Sequence, residues 1–325
     1  IAIKKIKKQY TYSKIKKFID EFKKLRVLII GESIIDQYVF CDALGKSGKE
    51  SMLVLRDLRT EEYLGGAAAI SRHVAEFCSK ITLLSMVGEK SEFLKEIKNK
   101  LPNNVKFEYI KKKNSPTIVK KRFLDHINNN KVLGVYKIND DALSDKEEKS
   151  FGGKLKKLLK NHDLVIVSDY GHGLISKKNS EIICKNSKYL ALNAQVNAAN
   201  VGYHSMRKYK NIDCVIINEK EIRHEFRNRN DSVNFLMKKL SSQQNIKNLI
   251  VTRGVNGSVL FNKNKNKFIY SDAFAKKTID KVGAGDAMLS LIALSLKSKF
   301  DTRLSLLTGS LAAAQSVEMV GNKEA

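Results

Sequence analysis

Proline occurs only twice in the 325 residues, and cysteine only four times. The shortage of proline goes with abundant lysine, asparagine and isoleucine, and it reads as compositional drift of the source genome. Cys41, Cys78, Cys184 and Cys214 stand far apart and form no Cys-x-x-Cys pair. That excludes a disulfide framework and a zinc site, and it fits a reducing compartment. No apolar stretch approaches the ~20 residues that a membrane-spanning helix needs. The lysine-rich start lacks the apolar core of a secretory signal. A soluble, cytoplasmic protein without membrane partners is expected, and no internal repeat is visible.

Charge of one sign is what the chain has in excess, with a formal net charge of +26. The lysines are spread along the whole length, as in Lys154-Leu155-Lys156-Lys157 and the tract from Lys263 to Lys267. Runs of this kind alternate with leucine or asparagine, as solvated helix faces and loop tips do. A nucleic-acid surface would gather arginine with interleaved aromatics on one face. No nucleic-acid partner is expected.

Hydrophobic patterning divides the chain. Residues 1–24 are basic and amphipathic and read as a leader helix with a linker; residues 25–325 form the main domain. The chain starts at Ile1 rather than Met, so a processed product or a piece of a longer protein is expected. Arg26-Val-Leu-Ile-Ile-Gly31 has the β-branched run of a buried parallel strand. Beyond residue 140 strands alternate with helices, near 164–168, 188–193, 213–217, 248–252 and 258–262. Such alternation implies a mostly parallel sheet covered on both faces. Residues 37–62 and 105–138 read instead as exposed strands and are expected to build one small β lid.

The strongest local signal is Asp280-Lys-Val-Gly-Ala-Gly-Asp286 in front of an apolar helix. A helix start offers unpaired N–H groups and a partial positive charge, and small residues let a phosphate come close. Asp286 would lie in the first turn, able to take a proton from an attacking hydroxyl. Taken alone, the run is equally an ordinary glycine turn. His73, on the helix after the glycine pair, is read as a packed or surface histidine and not a base, and His126, His162, His204 and His224 lack metal spacing. Met86 and Met288 are read as core, and Asp140-Asp141 as a turn or cap.

The order of further segments resembles the ribokinase/PfkB sugar-kinase family over roughly residues 26–320. Ile30 to Asp36 is similar to the family's first strand and its sugar-binding acid, Asp36. Leu64-Gly65-Gly66-Ala67-Ala68 resembles the first signature, which lines the sugar site with Gly65 and Gly66. Asn218-Glu219-Lys220-Glu221 matches the Asn-x-x-Glu motif, which implies that Asn218 and Glu221 order magnesium and phosphate, largely through water. Val251 to Gly257 resembles the loop beside the nucleotide, with Thr252, Arg253, Gly254 and Gly257. Gly283, Ala284, Gly285 and Asp286 are the second signature, an anion hole with its base. The implied fold is a ribokinase-like α/β sheet with helices on both faces and a small β-sheet lid.

Within that family the chain is similar to kinase domains that act on heptose 7-phosphate for lipopolysaccharide precursors. Asp169-Tyr170-Gly171-His172-Gly173 and Thr117-Ile-Val-Lys120-Lys-Arg122 carry this likeness. They imply that Asp169, Lys120 and Arg122 contact substrate. The resemblance further implies ATP and Mg²⁺, with a monovalent cation as an additional candidate. A homodimer and an upstream nucleotidyltransferase domain are the implied partners. Ala69, His172, Asn193 and Lys281 depart from the family pattern. Two alternatives keep the fold: a kinase of a nucleoside or other non-sugar alcohol, and a catalytically weak binding domain attached to a transferase.

Overall fold

The computed structural model describes residues 10–323. In chain order the strands are β1 (Arg26–Gly31), β2 (Ser33–Lys46), β3 (Leu53–Gly66), β4 (Lys80–Gly88) and β5 (Val105–Lys112). They continue with β6 (Ile118–Asp125), β7 (Lys131–Lys137), β8 (Leu164–Asp169) and β9 (Leu190–Ala194). The last four are β10 (Ile212–Asn218), β11 (Ile246–Thr252), β12 (Ser258–Asn262) and β13 (Lys267–Ser271). Nine of them form one sheet in the order β13-β12-β11-β10-β9-β8-β1-β4-β5. Pairing is parallel from β5 through β11, and antiparallel at β11–β12 and β12–β13.

The central strands form because their residues suit burial on both faces. Val27 to Ile30 and Leu164 to Val167 are all fully buried. Successive side chains point to opposite faces, so these strands feed two separate cores. One gathers Leu28, Ile30, Val165 and Val167, together with Phe151, Leu155 and Leu159 of a covering helix. The other gathers Val27, Ile29 and Ile166 with Met288, Leu289 and Ile292. Four further strands form the lid in the order β3-β2-β6-β7. The Asn128-Asn129-Asn130 turn joins β6 to β7 as an antiparallel hairpin, with Asn129 at φ +55°.

One expectation is corrected. The segment 105–112 does not join the lid: β5 pairs in parallel with β4 at the edge of the large sheet. As a half-exposed edge strand it shows the same apolar–polar alternation as a lid strand. Residues 12–22 carry the helix expected of the leader. They form helix α1 (Tyr12–Phe22), whose Phe18 and Phe22 rings lie 4.7 and 5.2 Å from the Phe300 ring. The first nine residues of the expected leader lie outside the described residues.

The remaining helices are α2 (Ala67–Ala75), α3 (Leu94–Lys100), α4 (Asp145–Leu159) and α5 (Lys177–Asn186). After them come α6 (Glu219–Phe226), α7 (Val233–Gln244), α8 (Ala284–Lys297) and α9 (Thr302–Val317). None of the described helices is long and apolar enough to cross a membrane. The strand order reverses at β1, which lies between β4 and β8, and the crevice at the carboxyl ends of such strands is where ligands bind. The start of α8 and the lid strands β2 and β6 meet above that edge.

Candidate active site

A cavity of about 620 Å³ opens between the carboxyl ends of the strands, the lid and the start of α8. Gly283 caps α8 at φ +86°, a left-handed backbone that glycine adopts without strain. A Cβ there would stand 1.9 Å from Asn322 Oδ1, so the position excludes other residues twice over. Gly285 differs, because a Cβ on it would meet no atom within 4 Å. Gly283, Ala284 and Gly285 all line the cavity. The first-turn N–H groups, which have no partner within the helix, are the ones an anion would engage.

Asp286 follows in that turn, buried, with its carboxyl facing the same cavity. Burial pushes it up to about 7; the Tyr170 hydroxyl pulls it down, the Asp36 carboxylate pushes it up, and Lys120 pulls it down. The Tyr170 hydroxyl donates to the carboxylate, 3.2 Å from Oδ1 and 3.1 Å from Oδ2.

Asp36 comes from β2 and lies against the glycine pair at the end of β3. A side chain at Gly65 would come within 2.2 Å of Asp36 Oδ2, which explains the glycine there. Gly66 turns the chain into α2 at φ +60° and lines the cavity. Arg122 Nη1 donates to Asp36 Oδ1 at 2.5 Å. Lys120, two residues earlier on the same face of β6, forms no ion pair among the described residues. Its ammonium sits 5.0 Å from the Tyr170 ring centre and 5.4 Å from that of Tyr136. Burial lowers its proton affinity. A desolvated cation between two aromatic faces is a strong site for an incoming anion.

The other half of the cavity is built on β10, β11 and α9. Asn218 and Glu221 close a reciprocal capping box at the start of α6: Asn218 Oδ1 accepts from Glu221 N, and Glu221 Oε2 from Asn218 N, both at 2.9 Å. Glu221 Oε1 accepts from Val196 N at 3.2 Å, and burial pushes this acid up to about 7. With both oxygens already accepting N–H groups, Glu221 suits a hydrated cation that it would touch through water. Among the described residues no group of three or more His, Cys, Asp and Glu could hold a metal ion. Thr252, Gly254 and Gly257 line this half, where Ala273, Ala313 and Ala314 keep the walls thin.

Some expected site residues stand elsewhere. Arg253 does not line the cavity; its Nε donates to Glu219 Oε2 at 2.9 Å. Asp169 lies beneath the site, 1% exposed, with Lys208 Nζ and the Tyr209 hydroxyl each 2.7 Å from Oδ2. His172 is fully buried, with Nδ1 2.6 Å from Asp140 Oδ1, so neither member of that pair reaches the cavity. Ala69 is buried inside α2. Asn193 and Lys281 do line the cavity, and Asn193 Nδ2 donates to Ile216 O at 2.9 Å. Sequence reading missed Tyr136, Asn322 and the role of Tyr170. Only Tyr170 had a signal, as part of the segment singled out for Asp169.

A second hollow of about 670 Å³ opens at the opposite edge of the sheet, near Thr82 and His162. It has no acid or glycine loop, and its Arg26 is held by Asp163 at 2.9 Å.

Known proteins resemble this chain over most of its length. Residues 24–324 match the pfkB family carbohydrate kinase. The bifunctional protein HldE of Campylobacter jejuni is 25% identical over 305 residues, 92% of this chain and 62% of that protein. HldE of Campylobacter curvus is 28% identical, over 93% of this chain and 64% of its own. The chain thus spans under two thirds of the length of these relatives. Among solved structures, Escherichia coli phosphofructokinase-2 in complex with potassium superposes with a TM-score of 0.72 at 16% identity, covering 92% of this chain and 94% of that one. Thermotoga maritima ribokinase gives 0.68 at 20% identity with the same coverage. These two likenesses establish the ribokinase-like fold.

Proposed function

The chain belongs to the pfkB family of carbohydrate kinases, and on that premise we propose that it transfers the γ-phosphoryl of ATP to a hydroxyl of a sugar phosphate, with a heptose phosphate as the first candidate. The observation that carries the reading is the place of Asp286. Its buried carboxyl shares one cavity with the start of α8 on one side and with Asp36 and Lys120 on the other. In this reading Asp36 and the Gly66 backbone hold the sugar. Asp286 accepts the proton of the acceptor hydroxyl as its oxygen bonds to the γ-phosphorus and the bond to ADP breaks. The amides at Gly283, Ala284 and Gly285 take up charge on the moving phosphoryl group.

Mg²⁺, when bound, supplies charge neutralisation between the phosphates. Glu221 and Asn218 would hold it through water, while Thr252, Gly254 and Gly257 flank the nucleotide. The lid excludes water over the acceptor. A phosphate already on the sugar is favoured by Lys120, and by the resemblance of Lys120, Arg122 and Tyr170 to segments of heptose-phosphate kinases. An attached nucleotidyltransferase domain acting on the product, and a cytoplasmic homodimer closed over Val132, Leu133 and Val135 of β7, belong to the same proposal. All three β7 side chains are exposed here.

The test is ADP release with Mg²⁺ and ATP over a panel of heptose 7-phosphate, hexose 6-phosphates, the free sugars and nucleosides. Phosphorylated sugars should lead. Turnover of nucleosides alone would overturn the acceptor class. ATP binding without turnover of any acceptor would leave a binding domain.

A further inference from the structure

Asp286 must present one oxygen to an acceptor hydroxyl, yet a carboxylate on a short side chain can rotate. Among the described residues the phenol of Tyr170 is the one side-chain donor that reaches it, and it spans both oxygens. Tyr170 is itself held from several directions. Its N–H donates to Glu32 Oε2 at 3.0 Å, and the His172 N–H donates to the other Glu32 oxygen at 3.1 Å. Its carbonyl accepts from Asn200 Nδ2 at 2.7 Å and Asn197 Nδ2 at 3.1 Å. Its ring lies under the Lys120 ammonium and parallel to the His172 ring, 9° from coplanar orientation. Glu32 is fully buried and touches no part of the cavity. A buried acid that binds two N–H groups of one loop, those of Tyr170 and His172, is hard to explain unless the loop has to be fixed.

We propose that Tyr170 is the positioning residue of this kinase, its clamped phenol fixing the orientation of the Asp286 carboxylate so that one oxygen stays free for the acceptor hydroxyl. The inference rests on the reading of Asp286 as the base. It gives the Asp169-Tyr170-Gly171 segment a role centred on Tyr170, with Glu32 and the two asparagines as its anchors.

The phenol also favours the ionised carboxylate, because it can donate to a carboxylate and gains less from a protonated acid. The charged groups facing Asp286 are Asp36 from β2, which works against ionisation, and Lys120 from β6, which works for it. Arg122 of β6 is held on Asp36. From α2, Arg72 is turned away and donates to the carbonyls of Asn322 and Lys323. Lys281 lines the same cavity ahead of α8.

The experiment is the pH profile of kcat/KM for Tyr170→Phe, with wild type and Asp286→Asn alongside. The acid limb of Tyr170→Phe should move about one pH unit upward. Its kcat/KM should be about tenfold below wild type at pH 6, the loss shrinking by pH 9 as the limb is passed. An unmoved limb, with the same loss at every pH, overturns the proposal. Should the Phe variant fail to fold, 3-fluorotyrosine placed at 170 keeps the hydroxyl and makes it the stronger donor. The limb then moves downward, and an unmoved limb again overturns the proposal. Near-normal turnover of Asp286→Asn would overturn the base itself. Loss of turnover there with an unmoved limb in the Phe variant would overturn only the role of Tyr170.

Discussion

Arg122 holds Asp36 across the lid, its Nη1 2.5 Å from Oδ1, with the two side chains only 12% and 5% exposed. In the parallel pairing of β2 with β6, Asp36 stands opposite Lys120, not Arg122, so the guanidinium reaches back by two positions. Burial works against the charge on Arg122, and the Asp36 carboxylate, Tyr38 and Tyr136 together outweigh burial. A guanidinium has five donors, so Arg122 can orient Asp36 and still meet a phosphate. Lys120 has no such ion-pair partner among the described residues.

The two lid cations should therefore separate kinetically. Lys120→Ala should raise KM for the sugar phosphate by about 10- to 150-fold, the worth of a charged hydrogen bond. It should leave KM for ATP nearly unchanged, and turnover of free sugar should fall only on the acid side, where Asp286 loses a cation that favours its ionised form. Arg122→Ala should weaken the phosphate preference and also lower turnover of free sugar, because Asp36 loses its support. A wild-type enzyme equally active on free and phosphorylated sugars would exclude the phosphate role of both.

Asp286→Asn should lower kcat by about 10²- to 10⁴-fold with ATP affinity retained, as measured by steady-state kinetics and calorimetry. Stability should move the other way. A buried acid whose proton affinity is raised to about 7 binds its proton more tightly folded than unfolded. Its penalty is absent below the unfolded value and grows as pH rises toward 7. Thermal melts should show Asp286→Asn more stable than wild type at pH 8, with the gain vanishing near pH 4.

Gly285→Val and Gly283→Ala should fail for different reasons. A side chain at Gly285 enters open cavity, so the valine variant should melt near wild type and transfer no phosphoryl group. At Gly283 a Cβ meets Asn322 and the backbone is left-handed. Gly283→Ala should thus lower stability by about 1–3 kcal/mol as well as activity. Chemical denaturation of the two variants separates the effects.

Activity should vanish in excess chelator. Glu221→Gln should raise the Mg²⁺ requirement more than KM for sugar, and Asn218→Ala should in addition cost about 0.5–2 kcal/mol of stability as the α6 cap is lost. A Mg²⁺ titration of activity in each variant, paired with a urea melt, checks both.

Buried strands announced themselves in the sequence because their requirement is local: a run such as Val27 to Ile30 has no other stable place. Edge strands did not. Alternation in Val105 to Ile110 describes any half-exposed strand, and it cannot say which sheet the strand joins. Strand β13 escaped notice for a similar reason, its residues being half-exposed and short. Glycines of the site were legible where a backbone conformation demands them, as at Gly66 and Gly283. Tyr170 was not, because its partner lies 116 residues away. Asn322 sits in no recognisable motif at all.

Asp280 fastens the lid to the segment leading into α8. Its carboxylate accepts from the Tyr38 hydroxyl of β2 at 2.8 Å, from Lys131 at the start of β7, and from Val282 N and Gly321 N at 3.1 Å each. Tyr38 and Lys131 precede it by 242 and 149 residues. At the pace of a ribosome, about 5–20 residues per second, Tyr38 is made roughly 12 to 50 seconds before its partner. Every strand of the lid is therefore synthesised long before the group that latches it. A nascent chain carries a lid sheet that can pair internally but has nothing to close against. The pocket for the acceptor comes together only when the α8 segment leaves the ribosome, which makes it one of the last parts of this domain to form.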